Sequence, residues 1–441
     1  MRRRLAALTL LLGLTTLAPQ ALAQCTNWMA ASLSGPGYGT DGEIRCFFQW
    51  DPDGVGPDPT WLIIGGSFSH VDGVPANNIA AWDGWVWRAL DSGTNGPVDC
   101  FTTFGGALIV GGEFSSAGGV AVKSVARYAN STWSAMGGGL YTNGAAAPAP
   151  VQTLIVYNGG LYAGGNFLGP GQRFARWNGS NWISFGATFT DQVTSFAVYN
   201  GYLVVGGFFT QVITTSNGTV FAPGLVRYDG TNWTAFPGTG TTNSPYNVIA
   251  MAVVGSTLYT TNEFVINNAA AKITGYNGSS WQPAPGGPCS PQAVYDRGGV
   301  LYAGGFCCPG AAANVRRVQY WAGGQWWSVG GGLGPDCSGG SGDQTVFALT
   351  EYNGQLYAGG RFQRTDGDFM VNIARWEVVS WEVPKAYSWV TALATAGSTT
   401  WLGGTFSSNT TTGWGYFLAS STNGAISRAD GPNAPVYALY N

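Results

Sequence analysis

The sequence predicts an all-β chain, a β-propeller of about eight four-stranded blades, and three observations predict it. One stretch recurs: Leu161 to Trp182 reads LYAGGNFLGPGQRFARWNGSNW. Its text returns as LIVGGEF…VARYANSTW from Leu108, as LVVGGFF…LVRYDGTNW from Leu203 and as LYAGGRF…IARWEVVSW from Leu356. The glycine pair in that text, or its equivalent, falls at Gly65, Gly111, Gly164, Gly206, Thr260, Gly304, Gly359 and Gly403. The mean period of roughly 48 residues suits four-stranded propeller blades. Finally, an aromatic residue and a Trp stand five apart in seven consecutive units: Trp82/Trp87, Tyr128/Trp133, Trp177/Trp182, Tyr228/Trp233, Tyr276/Trp281, Trp321/Trp326 and Trp376/Trp381.

Taken in order, the chain opens with a signal peptide over residues 1–23. Arg2, Arg3 and Arg4 form a basic leader, Leu5 to Leu17 is an apolar run, and Ala21-Leu22-Ala23 is a small-x-small cleavage site. The run is shorter than the roughly 20 residues a membrane helix needs. Gln24 stands where a lipoprotein signal wants a small residue before Cys25, so simple cleavage after Ala23 is expected. The mature chain, 24–441, is then a single exported propeller domain, extracellular or at the cell surface, with the periplasm as the alternative. Only 9% of residues are charged and 14% are aromatic, which suits neither a disordered nor a helical chain. A formal charge of −3 argues against a nucleic-acid surface. No membrane insertion is expected, and the mature protein is expected to be a monomer.

Each unit parses into four strands. The first is apolar with a small third residue, as in Val193-Thr-Ser-Phe-Ala-Val and Val346-Phe-Ala-Leu. An Asn-Gly turn follows at Asn158-Gly159, Asn200-Gly201 or Asn353-Gly354, the strongest short signal for a two-residue hairpin. The second strand ends in the glycine pair, where another backbone or ring comes too close for a side chain. The third ends in Ala-Arg-Trp or a relative, and the fourth opens at Trp. An interval of five across a four-residue connection places the two rings opposite each other, each pair contributing roughly 0.2–1 kcal/mol beyond burial.

A glycine pair followed by spaced aromatics resembles the kelch repeat of kelch propellers and of the central domain of galactose oxidase. It is most similar to a glycine-rich variant of exported bacterial proteins. The resemblance covers Glu43 to about Arg428 and implies a propeller without implying an activity, because propellers serve as enzymes, lectins and scaffolds alike. Closure of the ring is less determined. Asn27-Trp28-Met-Ala-Ala-Ser-Leu33 looks like an isolated fourth strand ahead of the first full unit, able to complete the last blade. Pro435 to Tyr440 copies a first strand and stops. Eight blades are expected, with seven or nine as alternatives.

Two unlike faces follow from the repeat. Connections between strands one and two, and between three and four, are mostly tight. Those between strands two and three, and between blades, are long and different each time, and rigid scaffolds carry function on such loops. Tyr38, Tyr141, Tyr246, Trp389 and Trp414 lie in or beside them, outside the five-spaced pairs. As a set they are the candidate ligand-binding residues, fit to stack on sugar rings or anchor a protein. Local packing is the plainer explanation for any one of them. Asp51, Asp53 and Asp58 have calcium-like spacing, but the loop lacks the third acid and the distal Glu of an EF-hand, so a decorated hairpin is preferred over a metal site. No cofactor is expected, calcium being the one alternative.

Seven cysteines are present. Cys289, Cys307, Cys308 and Cys337 cluster around the sixth unit, where two disulfides are plausible in an exported chain and a four-thiol metal site is the alternative. Cys46 and Cys100 occupy the small third position of a first strand and read as buried small residues. Cys25 has no assignment. His70 is the single histidine, so the kelch resemblance does not carry over a copper-radical oxidase, which needs more than one. A Ser-His-Asp arrangement would have to use His70 and lacks a nucleophile-elbow pattern. Glu113 is expected to face Arg127 across a hairpin, and Glu263 to face Lys272. The chain is therefore read as not an enzyme: an exported binding or structural module for a protein or glycan partner on the long-loop face. The alternative is a carbohydrate-active propeller, either a lectin or a hydrolase using two loop carboxylates.

Overall fold

The computed structural model describes residues 26–30, 39–54, 56–142, 147–216, 218–238, 247–266, 269–306, 317–330, 333, 344–362, 372–378, 389–396, 399–407, 414–422 and 425–429. Every regular element among them is a β-strand. The chain divides into two compact units, residues 27–377 and residues 378–441 with 1–26, where the repeat had predicted one domain over 24–441.

In the larger unit, each repeat folds as an antiparallel sheet with its strands in chain order. The first sheet is Glu43–Trp50, Trp61–Ser67, Ile79–Trp82 and Trp87–Ala89. The inner strands of the next six are Val98–Phe104, Val151–Tyr157, Val193–Tyr199, Met251–Val254, Ser290–Arg297 and Thr345–Tyr352. The seventh sheet takes its fourth strand from near the start of the chain: Thr26–Ala30 pairs with Ile373–Val378, whereas the Asn27-Trp28 segment had been expected to complete the last blade, which has four strands of its own. An eighth four-stranded sheet, Trp389–Ala396, Thr399–Ser407, Trp414–Thr422 and Ala425–Ala429, belongs to the smaller unit.

Seven sheets close on themselves. Each inner strand packs on the next, and Thr345–Tyr352 of the seventh packs on Glu43–Trp50 of the first. The glycine pair makes this packing possible, its two members for different reasons. A methyl group added at Gly65, Gly111, Gly164, Gly206, Gly304 or Gly359 would lie 2.5–2.9 Å from a β-branched side chain of the next sheet: Val98, Val151, Val193, Val248, Val346 and, across the closure, Ile44. A methyl at the following glycine would lie 2.0–2.3 Å from a carbonyl of its own inner strand, where that strand bulges by one residue. Contacts this short are forbidden to a Cβ, which is why both positions are glycine. The fifth sheet has Thr260 instead, and the matching residue of the sixth inner strand is Pro291, not a β-branched one.

The five-spaced aromatics meet as expected. Six of the pairs are directly opposed in register, with ring centroids between 4.7 and 5.6 Å; Trp381 of the seventh lies outside the described residues. Turn chemistry is equally regular. Asn158-Gly159 and Asn200-Gly201 have positive φ at both residues, as a type I′ turn requires. Between strands three and four, the Asn178, Asp229 and Asn277 side chains each accept two backbone N–H groups of their own turn. Tyrosines ending the inner strands reach forward to the next sheet: Tyr157 to the Gly201 carbonyl, Tyr199 to that of Ser256 and Tyr352 to that of Thr60. The Tyr352 bond, at 2.8 Å, spans the closure.

Candidate functional site

Strand order puts the starts of the inner strands, the loops between strands two and three, and the connections between sheets on one end of the ring. That loop-bearing face is built on a repeated frame. In five of the seven sheets the residue entering the third strand has left-handed backbone, at Asn78 (φ 63°), Ser124 (64°), Arg173 (74°), Gly224 (70°) and Asn372 (50°). Where it is Asn, its amide also ties to the next sheet: Asn78 Nδ2 donates to the Thr94 carbonyl at 2.8 Å, and Asn372 Nδ2 to that of Thr40 at 2.8 Å.

A Ser, a His and an Asp do come together here, but not as a catalytic triad. Asp41 accepts from the Ser69 hydroxyl at 2.5 Å and from the backbone N–H groups of Ser69 (2.7 Å) and His70 (2.9 Å). His70 Nδ1 lies 2.7 Å from Ser69 Oγ and 3.3 Å from Asp41 Oδ2, so one ring nitrogen faces both partners, whereas a relay needs two. Burial raises the Asp41 pKa, but these hydrogen bonds outweigh it and hold the carboxyl at about 2. A carboxylate that acidic is a poor base for activating serine. The second sheet has the same knot without histidine: Asn95 accepts from the Ser115 and Ser116 N–H groups at 2.9 Å and donates to Ser115 Oγ at 2.8 Å. The cluster is a loop cap that the repeat reuses.

An ionic relay crosses the mouth of the ring over three sheets. Arg361 of the seventh sheet lies 3.2 Å from Glu43 of the first; Glu43 is 2.6 Å from Arg45; Arg45 is 2.9 Å from Asp99 of the second. Arg45 and Asp99 are the bulged residues of adjacent inner strands. Desolvation raises the Asp99 pKa against the opposing pull of Arg45, with Glu113 and Glu43 adding to the rise. This relay is absent from the sequence-based candidates, although a polar residue breaking an apolar first strand (Arg45, Asp99, Gln152) was its visible sign. Glu113 does not face Arg127, as the repeat had suggested. Arg127 sits opposite Ile109, and Glu113 lies beyond the ladder toward Asp99. Lys272 reaches the Cys289 carbonyl, and the Glu263 side chain is outside the described residues. Arg176 lies over the rings of Tyr162 and Phe185, and Arg227 over that of Tyr202, so both arginines pack on aromatics of their own repeat as parts of the framework.

Of the predicted binding aromatics, Tyr38 and Tyr246 lie outside the described residues. Tyr141 is half-buried, bridged to Gly169 of the next loop, with Lys123 Nζ 5.2 Å from its ring centroid. Trp389 and Trp414 open two strands of the smaller unit, so they stand in strands opposite Thr405 and Ser407. The set is not brought together in one unit. Asp51 and Asp53 accept backbone N–H groups of their own loop, from Asp53, Gly54 and Asp58, on the face opposite the long loops. Among the described residues no group of three or more His, Cys, Asp or Glu could hold a metal ion. Cys307, Cys308 and Cys337 lie outside the described residues. Cys46 and Cys100 are free thiols, and burial raises both pKa values well above the usual range.

The same face holds an open polar groove, of about 400 Å³, between the first and second sheets. No helix among the described residues is long and apolar enough to cross a membrane. No family model and no curated protein matches the chain. Among solved structures, the computationally designed Ika8 protein is 13% identical, with a TM-score of 0.42, covering 78% of this chain and 98% of its own. A chain of the Mitotic Checkpoint Complex is 14% identical, with a TM-score of 0.45, covering 85% of this chain and 98% of its own. Likenesses at that level leave the fold to rest on the four-stranded sheets and on their closure.

Proposed function

We propose that this protein is a non-catalytic, kelch-like binding or structural module, working outside the cell or at its surface, which offers its loop-bearing face to a protein or glycan partner. One observation carries this: the hairpin face repeats the same short turns, while the 2–3 loops differ from sheet to sheet on a rigid ring. Asp41 and His70 are engaged in a loop cap, which favours binding over catalysis. The signal-peptide pattern of residues 1–23 supports export. Two disulfides among Cys289, Cys307, Cys308 and Cys337 fit that setting, and the disulfide-bonded state of Cys289 favours them. No cofactor is invoked, calcium at Asp51, Asp53 and Asp58 being the alternative; Asp51 Oδ1 and Asp53 Oδ2 accept backbone N–H groups of their own loop, which favours the cofactor-free reading.

The test is a glycan array and an extracellular-protein array probed with the full chain, with and without calcium, followed by hydrogen-exchange footprinting of any hit. Protection of the loops between strands two and three is expected. Protection confined to the Asn-Gly hairpins, or turnover of aryl glycosides by the purified protein, would overturn the proposal.

A further inference from the structure

We infer that the groove between the first and second sheets is a binding site for a neutral saccharide, an inference that rests on the binding role proposed above and gives it a place and a ligand class. One wall comes from Asn77 and Asn78, at the end of the first sheet's 2–3 loop; the floor is Ser92 to Asn95, leading into the second sheet; the far wall is Ser116 and Gly119. Its volume of about 400 Å³ falls within the roughly 300–1,000 Å³ of small-molecule sites.

The lining decides the chemistry. It holds amides, hydroxyls and glycine but no charged and no aromatic side chain. An anion would find no cation there, a metal ion no carboxylate, and an apolar ligand little carbon surface. A sugar hydroxyl both donates and accepts, which is what such a lining can match.

The groups that hold the groove open are already satisfied. Thr94 N donates to the Asn77 carbonyl at 3.1 Å, Asn77 Nδ2 to the Ser92 carbonyl at 3.0 Å, and Asn95 caps the opposite loop. The Ser92 and Ser116 hydroxyls and Asn77 Oδ1 make no hydrogen bond to protein among the described residues, so they are free to meet a ligand. Walls fixed by their own hydrogen bonds lower the ordering cost of binding.

The next seam shows that openness here is particular to this pair of sheets. Leu140 N donates to the Lys123 carbonyl at 3.0 Å, just as Thr94 N does to that of Asn77. There, however, Tyr141 stands in the place of Asn95, with its ring against Gly169 and the Lys123 ammonium over it. The second seam is filled from within the chain; the first is left open by small residues.

Saturation-transfer NMR of the full chain with glucose, galactose, mannose and N-acetylglucosamine, each at millimolar concentration, tests the site. Saturable binding of at least one is expected. It should weaken at least tenfold in the Ser92→Ala, Ser116→Ala double variant, whose lost hydroxyls hold nothing in the fold, and vanish in Ser92→Trp, with melting temperature unchanged in both. Absence of saccharide binding, or binding of equal strength in Ser92→Trp and the double variant, overturns the inference. A partner footprint on the loop face without saccharide binding would overturn it too, while leaving the broader binding role intact.

Discussion

Arg45 Nη1 lies 2.9 Å from Asp99 Oδ1, joining the bulges of two neighbouring inner strands. Asp99 is largely withdrawn from water and Arg45 about one-third exposed, at 35% of its side chain. Removing the cation leaves a desolvated carboxylate, so Arg45→Met is expected to cost about 1–3 kcal/mol. Arg45→Met with Asp99→Leu should be less destabilised than the single arginine variant. Denaturant melts of the double-mutant cycle check this, and strict additivity would refute it.

Asp41 sets an acid-side limit on stability. Its folded pKa, about 2, lies below the 3.8 of an unperturbed aspartate. The sign follows from linkage: stability present above 3.8 is lost as pH falls through about 2. Asn95 makes the equivalent cap with an amide, so Asp41→Asn should fold normally and show a flatter stability profile between those pH values. Melts of both proteins across that window provide the comparison; parallel profiles would count against the assignment.

Gly164 is predicted to be intolerant even of alanine. Its added methyl would lie 2.5 Å from Val193 Cγ1 and 2.8 Å from Phe196 Cζ. Overpacking there should cost roughly 1–3 kcal/mol. Val193→Ala empties the same space, so the two substitutions together should cost at least about 0.5 kcal/mol less than their sum. Gly159, in an open turn with φ of 73°, should tolerate the same volume but suffer from its backbone conformation.

Deleting residues 26–30 should expose the outer edge of Ile373–Val378, which Thr26–Ala30 otherwise pairs. Amide exchange in that strand is expected to speed up, with a lower melting temperature and a tendency to associate through the bare edge. Unchanged exchange would mean that the pairing contributes nothing to closure.

Much of this was legible because a propeller writes its rules into every repeat. The five-residue interval puts Trp177 against Trp182 by local hairpin geometry alone. Asn158-Gly159 needs no tertiary partner to turn. What joins one sheet to the next was less visible. Arg45 and Asp99 are 54 residues apart, and no pattern within one unit pairs them. Glu113 and Arg127 looked like hairpin partners, yet register gives Arg127 Ile109 instead. Eight repeats predicted eight four-stranded sheets; among the described residues six stand as separate four-stranded sheets, and the sixth and seventh repeats join edge to edge through Phe306 and Thr345. That seven repeats close depends on Ile44 and Phe47 seating against Gly359, residues that look in sequence like Val98 and Phe101 or Val193 and Phe196 at the other seams.

The bond from Asn372 to the Thr40 carbonyl spans 332 positions. Neighbouring sheets can dock as the chain emerges, each needing only about one repeat of loop to be closed. The final seam is different in kind, because its two halves are separated by the whole length of the ring. A ribosome that stops short of Ile373 releases an arc, with the side chains of Ile44 and Phe47 bare at one end. Closure is thus signalled by geometry: a chain that reaches Ile373 hides that surface, and one that stops short displays it to proteases and chaperones.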